Sequence, residues 1–111
     1  MASREGLGPA ELLALLAVLK VGDNAYGVPV ADAIREATGR DVLLGSVYVT
    51  LERLERKGLM TSRLGDPTPE RGGRAKRYFR VTAKGLREAH AIQRALARLS
   101  RDVPHLQGEP A

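Results

Sequence analysis

Apolar positions change their period along the chain, and each change predicts a different element. From Pro9 through Glu11 to about Val21, the residues Leu12, Leu13, Leu15, Leu16, Val18 and Leu19 surround a helical axis almost completely. Pro9 suits the first position of such a helix, where its missing N–H costs nothing. A helix apolar on every side is expected to be buried on every side. In a chain this small, that requires one face on its own core and another against a second copy. Gly22-Asp23-Asn24 then reads as a turn. A second helix is expected from Tyr26 or Gly27 to Thr38, with Pro29 tolerated in its first turn and Gly39 at its end. Its stripe of Ala31, Ile34 and Ala37 is narrow and suits close packing, and Asp41 to Leu44 reads as a short apolar link or strand stub.

The third helix is expected over residues 46–57, with the Ser46 hydroxyl as its cap and Gly58 as its left-handed stop. Val47, Leu51 and Leu54 form one apolar stripe at spacings of four and three. The far side carries Val49, Glu52, Arg53 and Arg56, flanked by Ser46, Thr50 and Lys57. Side chains of this mix can meet base edges and hold phosphates, so this segment reads as a DNA recognition helix. With the second helix it makes a helix-turn-helix with a somewhat long turn.

After Gly58 the period becomes two-fold. Leu59 to Leu64 and Arg77 to Val81 read as strands, joined by the Gly/Pro-rich stretch Gly65 to Gly73. Arg71, Arg74, Lys76, Arg77 and Arg80 supply five cations between positions 71 and 80, without a carboxylate. Such a hairpin has the character of a basic wing, expected over residues 65–77, able to lie on a nucleic-acid backbone or in a minor groove. Because neighbours on a strand point to opposite faces, Lys76 and Arg80 share one side and Arg77 takes the other. Thr82 is expected to cap a last helix from Ala83 to about Val103, stopped by Pro104. Its Ala89, Ile92, Leu96, Leu99 and Val103 recur as a heptad-like seam, while Arg87, Arg94, Arg98 and Arg101 form the opposite, wet side.

The totals narrow the picture without deciding it. A chain of 111 residues supports one domain. Its net charge of +5 favours a polyanionic partner, and with no Trp and 4% aromatic residues the core must be aliphatic. The absence of Cys excludes disulfides, thiolate catalysis and zinc fingers, and fits a reducing compartment. The longest apolar run, Leu12 to Leu19, is far short of the ~20 residues that span a bilayer. A cytoplasmic protein without membrane attachment is therefore expected. His90 and His105 lack neighbours at ligand spacing, so neither metal nor cofactor is expected. No nucleophile stands with a base, and Gly72-Gly73 lacks the Gly-Lys-Ser/Thr of a phosphate loop. An enzyme is not expected.

Several separated motifs occur together in this chain. Tyr26-Gly27 opens the second helix; Gly45-Ser46-Val47-Tyr48, then Leu51-Glu52-Arg53-Leu54-Glu55 and Gly58-Leu59, make the third. Gly72-Gly73-Arg74, Lys76-Arg77-Tyr78-Phe79, Val81-Thr82 and Gly85 follow in the hairpin and beyond. In these residues, from about Glu11 to Leu99, the chain resembles the PadR family of bacterial winged-helix transcriptional regulators. The resemblance implies a homodimer held through the first and last helices, with recognition helices in successive major grooves of a palindromic operator. It also implies repression of genes, often for detoxification or efflux, and in some members release of DNA by a small aromatic or drug-like effector. This chain departs from the larger members in having a single helix after the wing. It also lacks the Trp that lines a drug pocket in some of them.

The expected fold is thus mostly α (α+β), a winged helix-turn-helix of three helices and a hairpin wing with a C-terminal dimerisation helix. Residues 9–82 would form the DNA-binding domain, 83–103 the dimerisation helix, and 1–8 and 104–111 flexible tails. The expected DNA contacts are Ser46, Tyr48, Val49, Thr50, Arg53, Arg56, Lys57, Arg71, Arg74, Lys76 and Arg77. For Tyr48 a packing role stands equally open. The expected dimer contacts are Leu12, Leu15, Leu16, Leu19, Ala89, Ile92, Leu96, Leu99 and Val103. The partners would be double-stranded DNA and a second copy, with a small-molecule effector kept open. Two rival readings remain: a winged-helix adaptor that binds protein, and a sensor whose main event is ligand binding at the dimer interface.

Overall fold

The computed structural model describes residues 7–66 and 75–107. Helix α1 spans Pro9–Val21, and a 3-10 turn over Gly22–Asn24 leads to α2 at Gly27–Thr38. Helix α3 spans Leu44–Arg56; strands β1 (Met60–Leu64) and β2 (Arg77–Val81) follow, then α4 (Ala83–Ser100) and a short α5 (Pro104–Gln107). The strands pair antiparallel with Met60 opposite Val81 and Leu64 opposite Arg77. Beyond them, the Gly65 amide donates to the Lys76 carbonyl at 2.7 Å, so the ladder runs on towards the tip. Residues 67–74, including Arg71 and Arg74, lie outside the described residues, as do positions 1–6 of the expected N-terminal tail.

The core gathers one stripe from each element. Leu15 and Val18 of α1 meet Val30 and Ile34 of α2, Val47, Leu51 and Leu54 of α3, then Leu59, Met60 and Phe79 of the hairpin. Burying these apolar groups contributes ~1.5–3 kcal/mol each before chain entropy is set against it. Helix α1 is therefore central but not enclosed. Ala14, Leu15, Ala17 and Val18 are buried, Leu12 and Leu16 half-buried, and Leu13 and Leu19 exposed.

Four expectations need correction. Helix α3 begins at Leu44, with Leu43 rather than Ser46 in the capping position and no side chain capping it. The loop before it is already pinned, because Arg35 bonds Asp32 at 2.9 Å and the Val42 carbonyl at 2.7 Å. The chain can therefore turn into the helix two residues early. No strand forms over Asp41 to Leu43; instead the Phe79 amide donates to the Ala25 carbonyl at 2.8 Å, so the extra extended pairing lies before α2. Helix α4 ends at Ser100, not Val103. Pro104 disfavours the helical region at Val103 before it, and the chain has already left the helix by then, Asp102 taking a left-handed φ of 61°. Finally, the segment expected to be a flexible tail restarts as α5, with Pro104 in the first helical position.

Candidate nucleic-acid interface

Helix α3 is held by its two ends. At the start, the Tyr48 ring lies over Gly27, where any Cβ would collide with it. This gives the Tyr26-Gly27 and Tyr48 motifs one physical explanation: Tyr48 is half-buried and packs α3 on the N-terminus of α2. At the other end Gly58 takes a φ of 77°, its amide donates to the Glu55 carbonyl and the Leu59 amide to the Leu54 carbonyl, both at 3.0 Å. That is a Schellman stop followed by a buried Leu. The same corner receives α4: the Thr82 hydroxyl donates to the Gly58 carbonyl at 2.8 Å and accepts from the Gly85 amide at 3.0 Å. Thr82 thus caps α4, as its position predicts.

With the ends fixed, α3 turns Val47, Leu51 and Leu54 inward and leaves Gly45, Ser46, Val49, Glu52, Arg53 and Arg56 exposed. Val49 is 51% exposed among these polar neighbours. Thr50 is half-buried and donates its hydroxyl to the Ser46 carbonyl at 2.9 Å. Ser46 and Thr50 also edge a shallow cavity of about 110 Å³ closed by Leu13, Ile34 and Val42.

The cations of this helix differ in what already holds them. Glu11, 5% exposed, accepts the Gly8 amide at 3.0 Å and takes the Lys57 ammonium on both oxygens, at 2.8 and 3.0 Å. Arg53 comes only to 3.9 Å of the same carboxylate. Burial pushes the Glu11 carboxyl up, but the Lys57 and Gly8 hydrogen bonds and the charges of Lys57 and Arg53 outweigh it and leave it lowered. No local pattern signals this role for Glu11, since its partner is 46 positions away.

The hairpin stands beside α3 and is tied to it. Arg77 donates to the Ser62 hydroxyl at 3.0 Å, and Ser62 donates on to Glu55 of α3 at 2.9 Å. On the opposite strand face Lys76 lies 4.5 Å from the centre of the Tyr26 ring and Arg63 4.9 Å from that of Tyr78. The two rings meet edge-on at 5.7 Å. Lys76 and Arg77 therefore do face opposite ways, as the strand period requires.

Of the expected dimer residues, Leu15 and Ala89 are 0% and 3% exposed inside this chain's own core, so they offer nothing to a partner. Ala89 joins the core where α4 packs on the domain. Beyond it the seam emerges: Ile92 and Val103 are half-buried, Leu96 is 55% exposed and Leu99 76%. Among the described residues no helix is long and apolar enough to cross a membrane.

The sequence matches the description "Transcriptional regulator PadR-like family" over residues 15–91. No protein of curated function matches it. Among solved structures, a PadR-like transcriptional regulator from Bacillus cereus is 24% identical with a TM-score of 0.69, covering 89% of this chain and 92% of its own. A PadR family regulator from Clostridium difficile is 22% identical with a TM-score of 0.72, covering 91% of this chain and all of its own. A transcriptional regulator structure from Thermoplasma acidophilum is 18% identical with a TM-score of 0.70, covering 92% and 96%. These likenesses concern the fold.

Proposed function

The chain belongs to the PadR-like family of transcriptional regulators, and from that premise we propose that it is a dimeric, sequence-specific DNA-binding regulator. The simplest mode of action is repression, by covering a promoter. The observation that carries the reading is the two-sidedness of α3: a helix locked at both ends, apolar inside, with Ser46, Val49, Arg53 and Arg56 displayed together outside. In the reading, Arg53 and Arg56 hold phosphates while Ser46 and Val49 meet base edges, Val49 suiting a thymine methyl. Thr50 contributes its methyl, since its hydroxyl is engaged in the helix.

In the same reading Arg77, together with Arg71 and Arg74, is assigned to the flanking backbone, with Lys76 braced against Tyr26. Tyr48 serves by packing, and Lys57 is held by Glu11. Two copies joined through α1 and the exposed end of α4 would present their α3 helices to half-sites about 34 Å apart on a palindrome. Footprinting on the DNA upstream of the chain's own gene tests this. Two protected half-sites one helical turn apart are expected. No protection, even in dilute buffer, would leave the adaptor reading in its place.

A further inference from the structure

We infer that Glu11 is a positioning residue for the DNA-binding face: it draws the Lys57 ammonium off the flank of α3 and so removes one cation from that helix's phosphate grip. The inference rests on the DNA-binding reading above and sharpens which of its cations count. Glu11 is the only charged residue buried among the described residues, and both its oxygens are taken by Lys57. The Lys57 side chain is 20% exposed, whereas that of Arg53 is 49% exposed and its guanidinium stays 3.9 Å away. One acid thus commits one neighbouring cation and barely engages the other.

The commitment follows from desolvation. A carboxylate taken out of water depends on its partner, and losing that partner strands a buried charge. If Lys57 swung out to a phosphate, Glu11 would keep only the Gly8 amide and a distant guanidinium. A solvated phosphate contact does not repay that loss. The backbone of Lys57 is fixed as well, because its carbonyl accepts from Lys84 Nζ at 3.2 Å. Binding to DNA releases counterions in proportion to the cations that neutralise phosphates. A lysine already neutralised by a buried acid adds nothing to that count, so Arg53 and Arg56 set the salt dependence of α3 and Lys57 does not.

The full chain is titrated with mixed-sequence double-stranded DNA by fluorescence anisotropy over a series of salt concentrations. Arg56→Gln should flatten the slope of log affinity against log salt by about one unit. The double variant Glu11→Gln/Lys57→Gln keeps a neutral hydrogen-bonded pair and should retain the wild-type slope. Circular dichroism checks that the double variant is folded. A folded double variant whose slope is flatter by a unit overturns the inference and leaves the DNA-binding reading standing. A wild-type chain that ignores the duplex at every salt concentration overturns both.

Discussion

A carboxylate that is 5% exposed stays an anion only while Lys57, the Gly8 amide and Arg53 surround it. These contacts hold the Glu11 carboxyl below its ordinary value near 4.5 despite burial. Because the folded value lies below the unfolded one, the stabilisation is complete above about pH 4.5 and is lost as pH falls through the folded value. The urea midpoint of the wild type should therefore exceed that of Glu11→Gln at neutral pH, and the gap should close on acidification. Parallel midpoints down to acid pH would refute this. Gly85 is the second residue with an outsized role, because a Cβ there would collide with the Leu59 carbonyl and meet Val81 Cγ1 at 2.8 Å. The obstacle is backbone, which cannot rotate aside. Gly85→Ala should cost about 3 kcal/mol, as overpacking does, and lower Tm by roughly 10 °C. Calorimetry showing a shift of a degree or two would mean that α4 can slide on its seat.

At the scale of elements, the wing and α3 behave as one unit because Arg77, Ser62 and Glu55 are chained by hydrogen bonds of 3.0 and 2.9 Å. Ser62→Ala breaks the chain without changing charge. DNA affinity should fall about fivefold, the worth of one ordinary hydrogen bond, with the salt slope unchanged. Anisotropy titrations that show a slope altered by a whole unit would mean instead that a phosphate contact was lost.

Which elements the sequence disclosed follows from where their signals lie. Helices α1 and α2 and strand β2 were legible because Pro9, Gly39 and the alternation of Arg77 to Val81 are local signals that the fold leaves intact. The start of α3 was not legible, because Arg35 pins the loop from another helix and overrides the Ser46 cap. The end of α4 is not legible because Pro104 restricts only Val103 directly, whereas the helix stops at Ser100 and Asp102 takes a left-handed φ. The cations of the site were legible by type, but the carboxylate that holds Lys57 arrives from α1, beyond any local pattern.

The whole molecule is long and thin, 54 × 39 × 20 Å, and its radius of gyration of 15.9 Å exceeds the ~13 Å usual for a compact domain of this length. Helix α4 explains the excess: it sits on α1 and β2 near its start and then runs clear, with Leu96 and Leu99 uncovered by any described part of the chain. A seam that leaves its own domain has the form of half an interface, and exposed Leu13 and Leu19 on α1 extend the apolar surface. If a second copy covers it, two leucine substitutions must separate cleanly. Leu96→Asp puts a charge where the seam would close and should give a folded monomer, because burying an unpaired carboxylate is prohibitive while Leu96 supports nothing in its own domain. Leu15→Ala, by contrast, empties a site that is 0% exposed within one chain. It should cost about 3 kcal/mol of stability and leave the folded fraction still paired. Light scattering with circular dichroism distinguishes the two effects, and a Leu96→Asp chain that remains dimeric would move the interface elsewhere. DNA affinity should follow the mass, since a monomer offers one α3 where a palindrome asks for two.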